Sequence, residues 1–415
     1  NMVSSGDWLV PHYDGAVRLN KPPLAYWTGA LVSTLLGQAS LLALRLPALA
    51  AGVGLLLVTY AWGRRVGGAR LGLAAAACLA AMELASTYGR RGVADMQLAL
   101  FTNLALLCFA GLLERPGPAL RAGFAVALGL ALLAKATAGL LIVGLPIALT
   151  LAIHHRWREA LRLRNLTWVA LAVGIGLAWY VAILGFMPGS GPILERLMLL
   201  PLGVDGPDGA PSATHFHPPW FHLGSLLLGA SPALVVMLPW AAARAWSSRA
   251  WREQPRHRFV LIVFASLFLA FSLLPQKQKH YMLPLLPALA ILLADGALAR
   301  ARRDPPSFAR TVRRLGHAAA IVPAVVLGWA AVDRFQLGDG WPTALRLAAL
   351  GAALTALLIV VARRGRPAHV AGACVAATLV LAAVYGSVLE PHLRPPRLAV
   401  PTAAEILDPS AETAR

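Results

Sequence analysis

Apolar and polar positions along this chain change over in long blocks, not with the short period of a half-buried strand or a surface helix. Twelve apolar segments can be read, near 41–62, 71–88, 96–113, 119–134, 136–153, 166–187, 223–243, 258–274, 281–299, 316–332, 342–362 and 367–388. Most are long enough for a helix to cross a hydrocarbon core of ~30 Å, which takes about 17–25 residues. The two that flank Lys135 are short, and the pattern predicts bent or tilted helices there. Abundant Ala, Gly and Leu within the segments suits close helix packing in lipid. The expected fold class is an all-α polytopic membrane protein of about 12 spans. Residues 1–40 have another texture, seen in "GDWLVPHYDGAVRLNKPPLAYW": charges at Asp7, Asp14, Arg18 and Lys21, then two prolines that interrupt any helix. They read as a juxtamembrane loop. Residues 41–388 read as one transmembrane domain, with a long connection at about 188–222. There "PILERLMLL" suits a short helix lying on the membrane. Residues 389–415 are polar and proline-rich and read as a tail.

Composition agrees with the blocks. The chain is 58% hydrophobic and 13% charged, against about 45–50% and about 25% in soluble domains. A net charge of +19 raises the question of nucleic acid, but its distribution answers it. Alternate connections such as "HHRWREALRLRN", "RAWSSRAWREQPRHR" and "RARRDPPSFARTVRR" belong to a set holding 23 of the 37 Lys and Arg residues. This alternation is the positive-inside pattern. It is a topology signal, and it excludes a nucleic-acid reading. The poorer set, with residues 1–40 and both chain ends, then lies on the non-cytoplasmic side. A chain starting in the cytoplasm would need one more span upstream, and no charged-then-apolar leader precedes Asn1. Cys78, Cys108 and Cys374 stand within apolar runs without ligand spacing, as small buried hydrophobes.

The cation-poor face nevertheless gathers chemistry from distant segments. "TYGRRGVADMQLALF" puts Arg90, Arg91 and Asp95 at the outer end of two spans. "LLAKATAGLL" sets Lys135 in the break between two more, and "PQKQKHYMLPLLP" adds Lys277, Lys279, His280 and Tyr281. Taken singly, Asp95 reads as a partner for Arg90 or Arg91, Lys135 as a snorkelling lysine and the other lysines as loop residues. Together they suit an anionic group such as a phosphate, held by charge-assisted hydrogen bonds. "THFHPPWFH" offers His215 and His217 as weak metal candidates; loop bonding and interfacial anchoring by Trp220 and Phe221 are the plainer reading. Trp8, Tyr26 and Trp27 read first as an interfacial belt. A transporter or lipid flippase is the rival class, but transporters place ionisable groups at the bilayer midplane. Here only Lys135 and Glu83 are candidates for such depth.

The ordered set "MVSSGDWLVPHYDGAVRLNKPPLAYW", "YGRRGVADMQLALF", "LLAKATAGLL", "HFHPPWFH" and "KQKHYMLPLLPALAILLA" resembles the ArnT-like branch of the dolichyl-phosphate-mannose protein mannosyltransferase superfamily. The resemblance covers residues 1 to about 300 and continues by hydropathy alone. It implies a GT-C type transmembrane domain with short juxtamembrane helices on the periplasmic side. It also implies a multi-pass protein of the bacterial inner membrane with a periplasmic active site. The implied activity is inverting transfer of a hexose or pentose from undecaprenyl phosphate to lipid A or another cell-envelope acceptor; a protein O-mannosyltransferase-like enzyme is the alternative. Asp95 would be the catalytic carboxylate. Lys21, Arg90, Arg91, Lys135, Lys277, Lys279 and Tyr281 would hold the lipid phosphate. The resemblance makes no cofactor certain and leaves a divalent metal as an open expectation. The family's first acid, in an Asp-Glu pair ahead of the "GDW" block, is expected upstream of Asn1. Where the branch often has an acid before the lysine, this chain has Asn20.

Overall fold

The computed structural model describes residues 2–384 apart from 14, 15, 18, 20, 188, 192–216, 230–234 and 337–340. The tail at 389–415 and most of the 188–222 connection, His215 included, lie outside the described residues. Within them the regular structure is helical but for one two-residue antiparallel ladder, His12–Tyr13 with Ala16–Val17. Among the described residues eight helices are long and apolar enough to cross a membrane, or nine if the pair Ala69–Ala80 and Glu83–Gly89, bent by 70°, counts as one span.

The fold class is the expected one, but length and composition do not bring the described helices to twelve spans. Three segments account for the difference. Pro118–Ile153 runs on as one 36-residue helix, yet the backbone leaves helical geometry at Lys135 and at Ala136, where φ is +26°. A Cβ on Gly139 would meet the Ala131 backbone at 2.9 Å, although eight residues of straight helix span about 12 Å. Phe124 and Ile147 line one cavity. The chain therefore doubles back at Lys135, and 118–134 and 137–153 form a hairpin of two short helices, as the sequence spacing indicates. The segment at 223–243 passes through residues outside the description, between Phe221–Gly229 and Leu238–Ser247. The last, Pro367–Val384, is an 18-residue helix of which Gly372–Leu381 is the apolar stretch counted among the described residues.

Lipid as solvent explains the packing. Large apolar side chains such as Leu35, Leu41, Val181 and Phe186 face outward, while Trp62, Trp179, Trp251 and Phe259 are buried. Helices approach closely through small residues: a Cβ on Gly63 would stand 2.9 Å from the Gly72 Cα, and one on Gly129 would stand 2.7 Å from Ile175. Ser40 caps Leu41–Gly67, its hydroxyl accepting from the Ala43 N–H at 3.2 Å. The last three helices, Pro305–Gln336, Trp341–Arg364 and Pro367–Val384, pack on one another through small apolar clusters of their own.

The opening segment is stapled to this bundle. The Asp7 carboxylate accepts from the Leu9 and Val10 N–H groups at 2.9 and 3.0 Å, turning the chain back. Trp27 donates its indole N–H to the Trp8 carbonyl at 2.6 Å, and Trp179 donates to the Leu9 carbonyl at 2.9 Å. Trp27 thus fastens the segment instead of serving only as an interfacial anchor. Pro22 and Pro23 then end the irregular stretch, and Leu24–Leu35 starts at once.

Candidate functional site

Asp95 stands in the first turn of Ala94–Glu114, where the helix dipole favours a carboxylate. It is 7% exposed. Its partner is Lys135, from the hairpin turn forty positions away, with Nζ 2.9 Å from Oδ1. A second contact comes from His280, whose Nε2 lies 3.4 Å from the same oxygen. The break at Lys135 makes this possible: a regular helix would have carried the lysine past the acid.

Two aromatic rings wall the pair. Lys135 sits 5.3 Å from the Tyr281 ring centroid, a cation–π distance. His280 packs against Tyr281 at 4.9 Å and Tyr88 at 5.5 Å. Asp95, Lys135, His280 and Tyr281 line one cavity of about 40 Å³, closed by Leu98, Ile142 and Phe271.

Buried amides hold the walls together. Gln97 donates to the Thr28 hydroxyl at 2.7 Å, tying the Asp95 helix to Leu24–Leu35. Asn103 donates to the Pro284 carbonyl at 2.9 Å, tying the same helix to the 3-10 turn Lys279–Leu285 that carries His280 and Tyr281. Sequence reasoning did not single out these amides, nor Tyr88. The usable signal was their presence inside an apolar span, "MQLALFTNLALLCF", where a polar side chain must find a partner.

The other predicted residues, Lys21, Arg90, Arg91, Lys277 and Lys279, do not line this cavity. Lys21 is exposed and lines a groove of about 1000 Å³ beside Tyr26, Gly92 and Ala94, one residue from the acid. It is near enough to interact with the Asp95 charge through space. Arg91 lies 5.1 Å from the Tyr88 ring centroid, and the Arg90 Nε donates to the Ser86 carbonyl at 3.1 Å. Lys279 is exposed at the start of its turn. Lys277 is turned inward and donates to the His217 and Leu274 carbonyls at 2.8 and 2.5 Å. Burial pushes its ammonium below the usual lysine range. It braces the loop beside the cavity and does not line it.

His217 stacks on Phe221 at 4.0 Å. No three His, Cys, Asp or Glu side chains gather as a ligand set among the described residues. His215, its candidate partner, lies outside the described residues.

Known proteins resemble the chain in sequence and in fold. A family model described as dolichyl-phosphate-mannose-protein mannosyltransferase matches residues 20–184, which hold Lys21, Asp95 and Lys135. An undecaprenyl phosphate-alpha-4-amino-4-deoxy-L-arabinose arabinosyl transferase of Sodalis glossinidius is 31% identical over 303 residues, 71% of this chain and 52% of that protein. One from Proteus mirabilis is 28% identical over 315 residues, 73% of this chain and 54% of that protein. The chain spans about half the length of the curated relatives it matches. Among solved structures, ArnT from Cupriavidus metallidurans in the apo state superposes with a TM-score of 0.72 at 19% identity, covering 93% of this chain and 70% of that one. The same protein bound to undecaprenyl phosphate gives 0.73 at 19% identity, over 92% and 70%. The chain resembles the ArnT-like branch of the dolichyl-phosphate-mannose protein mannosyltransferase superfamily in sequence and has the GT-C type membrane fold.

Proposed function

We propose that the chain forms the membrane core of an inverting glycosyltransferase. It moves a sugar from undecaprenyl phosphate to lipid A or another envelope acceptor, on the periplasmic face of the bacterial inner membrane. The observation that carries this reading is the buried Asp95–Lys135–His280 cluster, drawn from three distant segments to one end of the bundle beside the Lys21 groove. The relatives' names support a polyprenyl-phosphate donor, and the alternation of basic loops supports the face. A midplane transport site is not favoured, because Asp95 begins its helix instead of interrupting it.

The donor enters sideways from lipid with its phosphate at the depth of Lys21. An acceptor oxygen forms a bond to the anomeric carbon as the bond from that carbon to the phosphate oxygen breaks. The bonding pair leaves with undecaprenyl phosphate, and the sugar passes through an oxocarbenium-like state and inverts. Charge grows on the departing phosphate, which is where Lys21, with Arg90, Arg91 and Lys279, acts. Asp95 holds Lys135 and His280 in place and orients the sugar. With an ionised phosphate acceptor no proton need be removed; with a hydroxyl acceptor the carboxylate takes it.

In-membrane transfer by the full-length protein tests the assignment. Asp95→Asn and Lys21→Ala are each expected to lower the rate by roughly 10²–10³, the scale of one lost electrostatic partner. Wild-type rates in both variants overturn the site. Mass analysis of lipid A and surface glycans after gene deletion identifies the acceptor class.

A further inference from the structure

The far end of the Asp95 helix carries a second concave site that the reaction does not use. It lies near Leu112 and Leu113, about 26 Å along the helix axis from the acid. A recess of about 350 Å³ opens there between Ala94–Glu114, both arms of the Lys135 hairpin and Leu163–Phe186. Three guanidinium groups converge on it from separate segments: Arg121 at the start of the hairpin, Arg156 just past its end, and Arg162 leading into the next helix. Phe124, Leu151 and Trp168 supply an apolar wall, and none of the described lining residues is acidic.

The cations are partly pre-positioned. The Arg121 Nε donates to the Asn165 side chain at 3.1 Å, using one of five guanidinium donors. Arg156 reaches the Leu113 carbonyl at 3.4 Å. Next to the recess, burial first and then Arg258 and Arg156 push the His154 imidazole below its usual range, a sign of the positive local field. Ordinary interfacial arginines spread their charge toward water. Here the charge faces a cavity whose other wall suits hydrocarbon.

We propose that this recess is a binding site for an anionic phospholipid of the leaflet opposite the Asp95 site. Its headgroup phosphate lies among Arg121, Arg156 and Arg162, and an acyl chain lies along Phe124, Leu151 and Trp168. Planar guanidinium forks match phosphate oxygens in pairs, and basic pockets between spanning helices at the membrane surface take acidic headgroups. The bound lipid would brace the hairpin whose turn carries Lys135. The proposal does not depend on the glycosyltransferase reading, since the site is defined without reference to transfer.

The test uses the full chain in detergent, with phosphatidylglycerol, phosphatidylcholine or inorganic phosphate added and bound lipid counted by native mass spectrometry. Phosphatidylglycerol is expected to be retained and to raise the unfolding temperature, and phosphatidylcholine is not. The exposed Arg162→Gln alone should weaken retention about fivefold, and adding R121Q and R156Q should compound the loss by about fivefold each. R249Q/R252Q, on another basic loop, should leave retention unchanged. The proposal is overturned if Arg162→Gln retains phosphatidylglycerol like wild type, or if R249Q/R252Q loses as much as the triple variant. It also fails if inorganic phosphate stabilises the protein as well as the lipid does.

Discussion

At the scale of single residues, Asp95 and Lys135 are not interchangeable losses. The pair lies 2.9 Å apart with the carboxylate buried, so removing either partner strands a charge. Breaking such a pair typically costs about 3–5 kcal/mol, whereas replacing both members by neutral groups costs far less. Lys135→Met is therefore expected to lower the unfolding temperature in detergent more than Asp95→Asn/Lys135→Met, and neither protein should transfer sugar. Equal stability of the single and double variants would show that the pair is not coupled. A second residue-scale prediction concerns Asp7, outside the spans. The Val10 and Leu9 N–H groups hold its carboxyl below the ordinary 3.8. A folded-state pKa depressed in this way contributes stability that is present above the unfolded value and lost as pH falls through the folded one. The protection factors of the Leu9 and Val10 amides against hydrogen exchange should fall as pH drops below 3.8, and Asp7→Asn should remove that dependence. Asp95 was legible in the chain as a lone acid at a span boundary. Its partner was not, because Arg90 and Arg91 were nearer in sequence and only the folded hairpin brings Lys135 closer in space.

At the scale of elements, the 3-10 turn Lys279–Leu285 and the Lys135 hairpin do the positioning. Both are departures from regular helix, and a buried amide on the regular Asp95 helix secures the first of them. Asn103→Leu is expected to leave the Pro284 carbonyl unsatisfied at a cost of about 1–3 kcal/mol. Because His280 and Tyr281 ride on that turn, the variant should also lose transfer activity while its lipid-substrate extraction from membranes is unchanged. Full activity in Asn103→Leu would show that the turn holds its place without the tie. The hairpin was visible beforehand as two short apolar runs around one lysine, since hydropathy length is a local property. The 3-10 turn was not, because "KHYMLPL" continues an apolar pattern and its one proline, Pro284, marks only that a regular helix is interrupted.

At the scale of the whole molecule, the orientation in the membrane rests on the alternation of basic loops. Single cysteines placed in a background lacking Cys78, Cys108 and Cys374 test it directly. Lys279→Cys, on the Asp95 side, should react with a membrane-impermeant maleimide in spheroplasts, and Arg249→Cys should react only after the membrane is opened. The reverse labelling would turn the protein over and remove the periplasmic reading of the site.

The membrane class followed from the sequence alone, and the block lengths and the side of each loop are expectations read from the same source. Each depends on the free energy of placing short stretches in lipid or water, and neighbouring residues suffice to set that balance. The candidate acid and the surrounding cations could be named for the same reason, as polar residues at the edges of apolar runs. Tertiary structure decided which of them meet. It paired Asp95 with Lys135, turned Lys277 inward onto backbone carbonyls and left Lys21 in a neighbouring groove. Those choices depend on the break at Lys135, on close approach through glycines, and on amides that find partners across the bundle. All of these are contacts between positions far apart in the chain, and no local pattern encodes them.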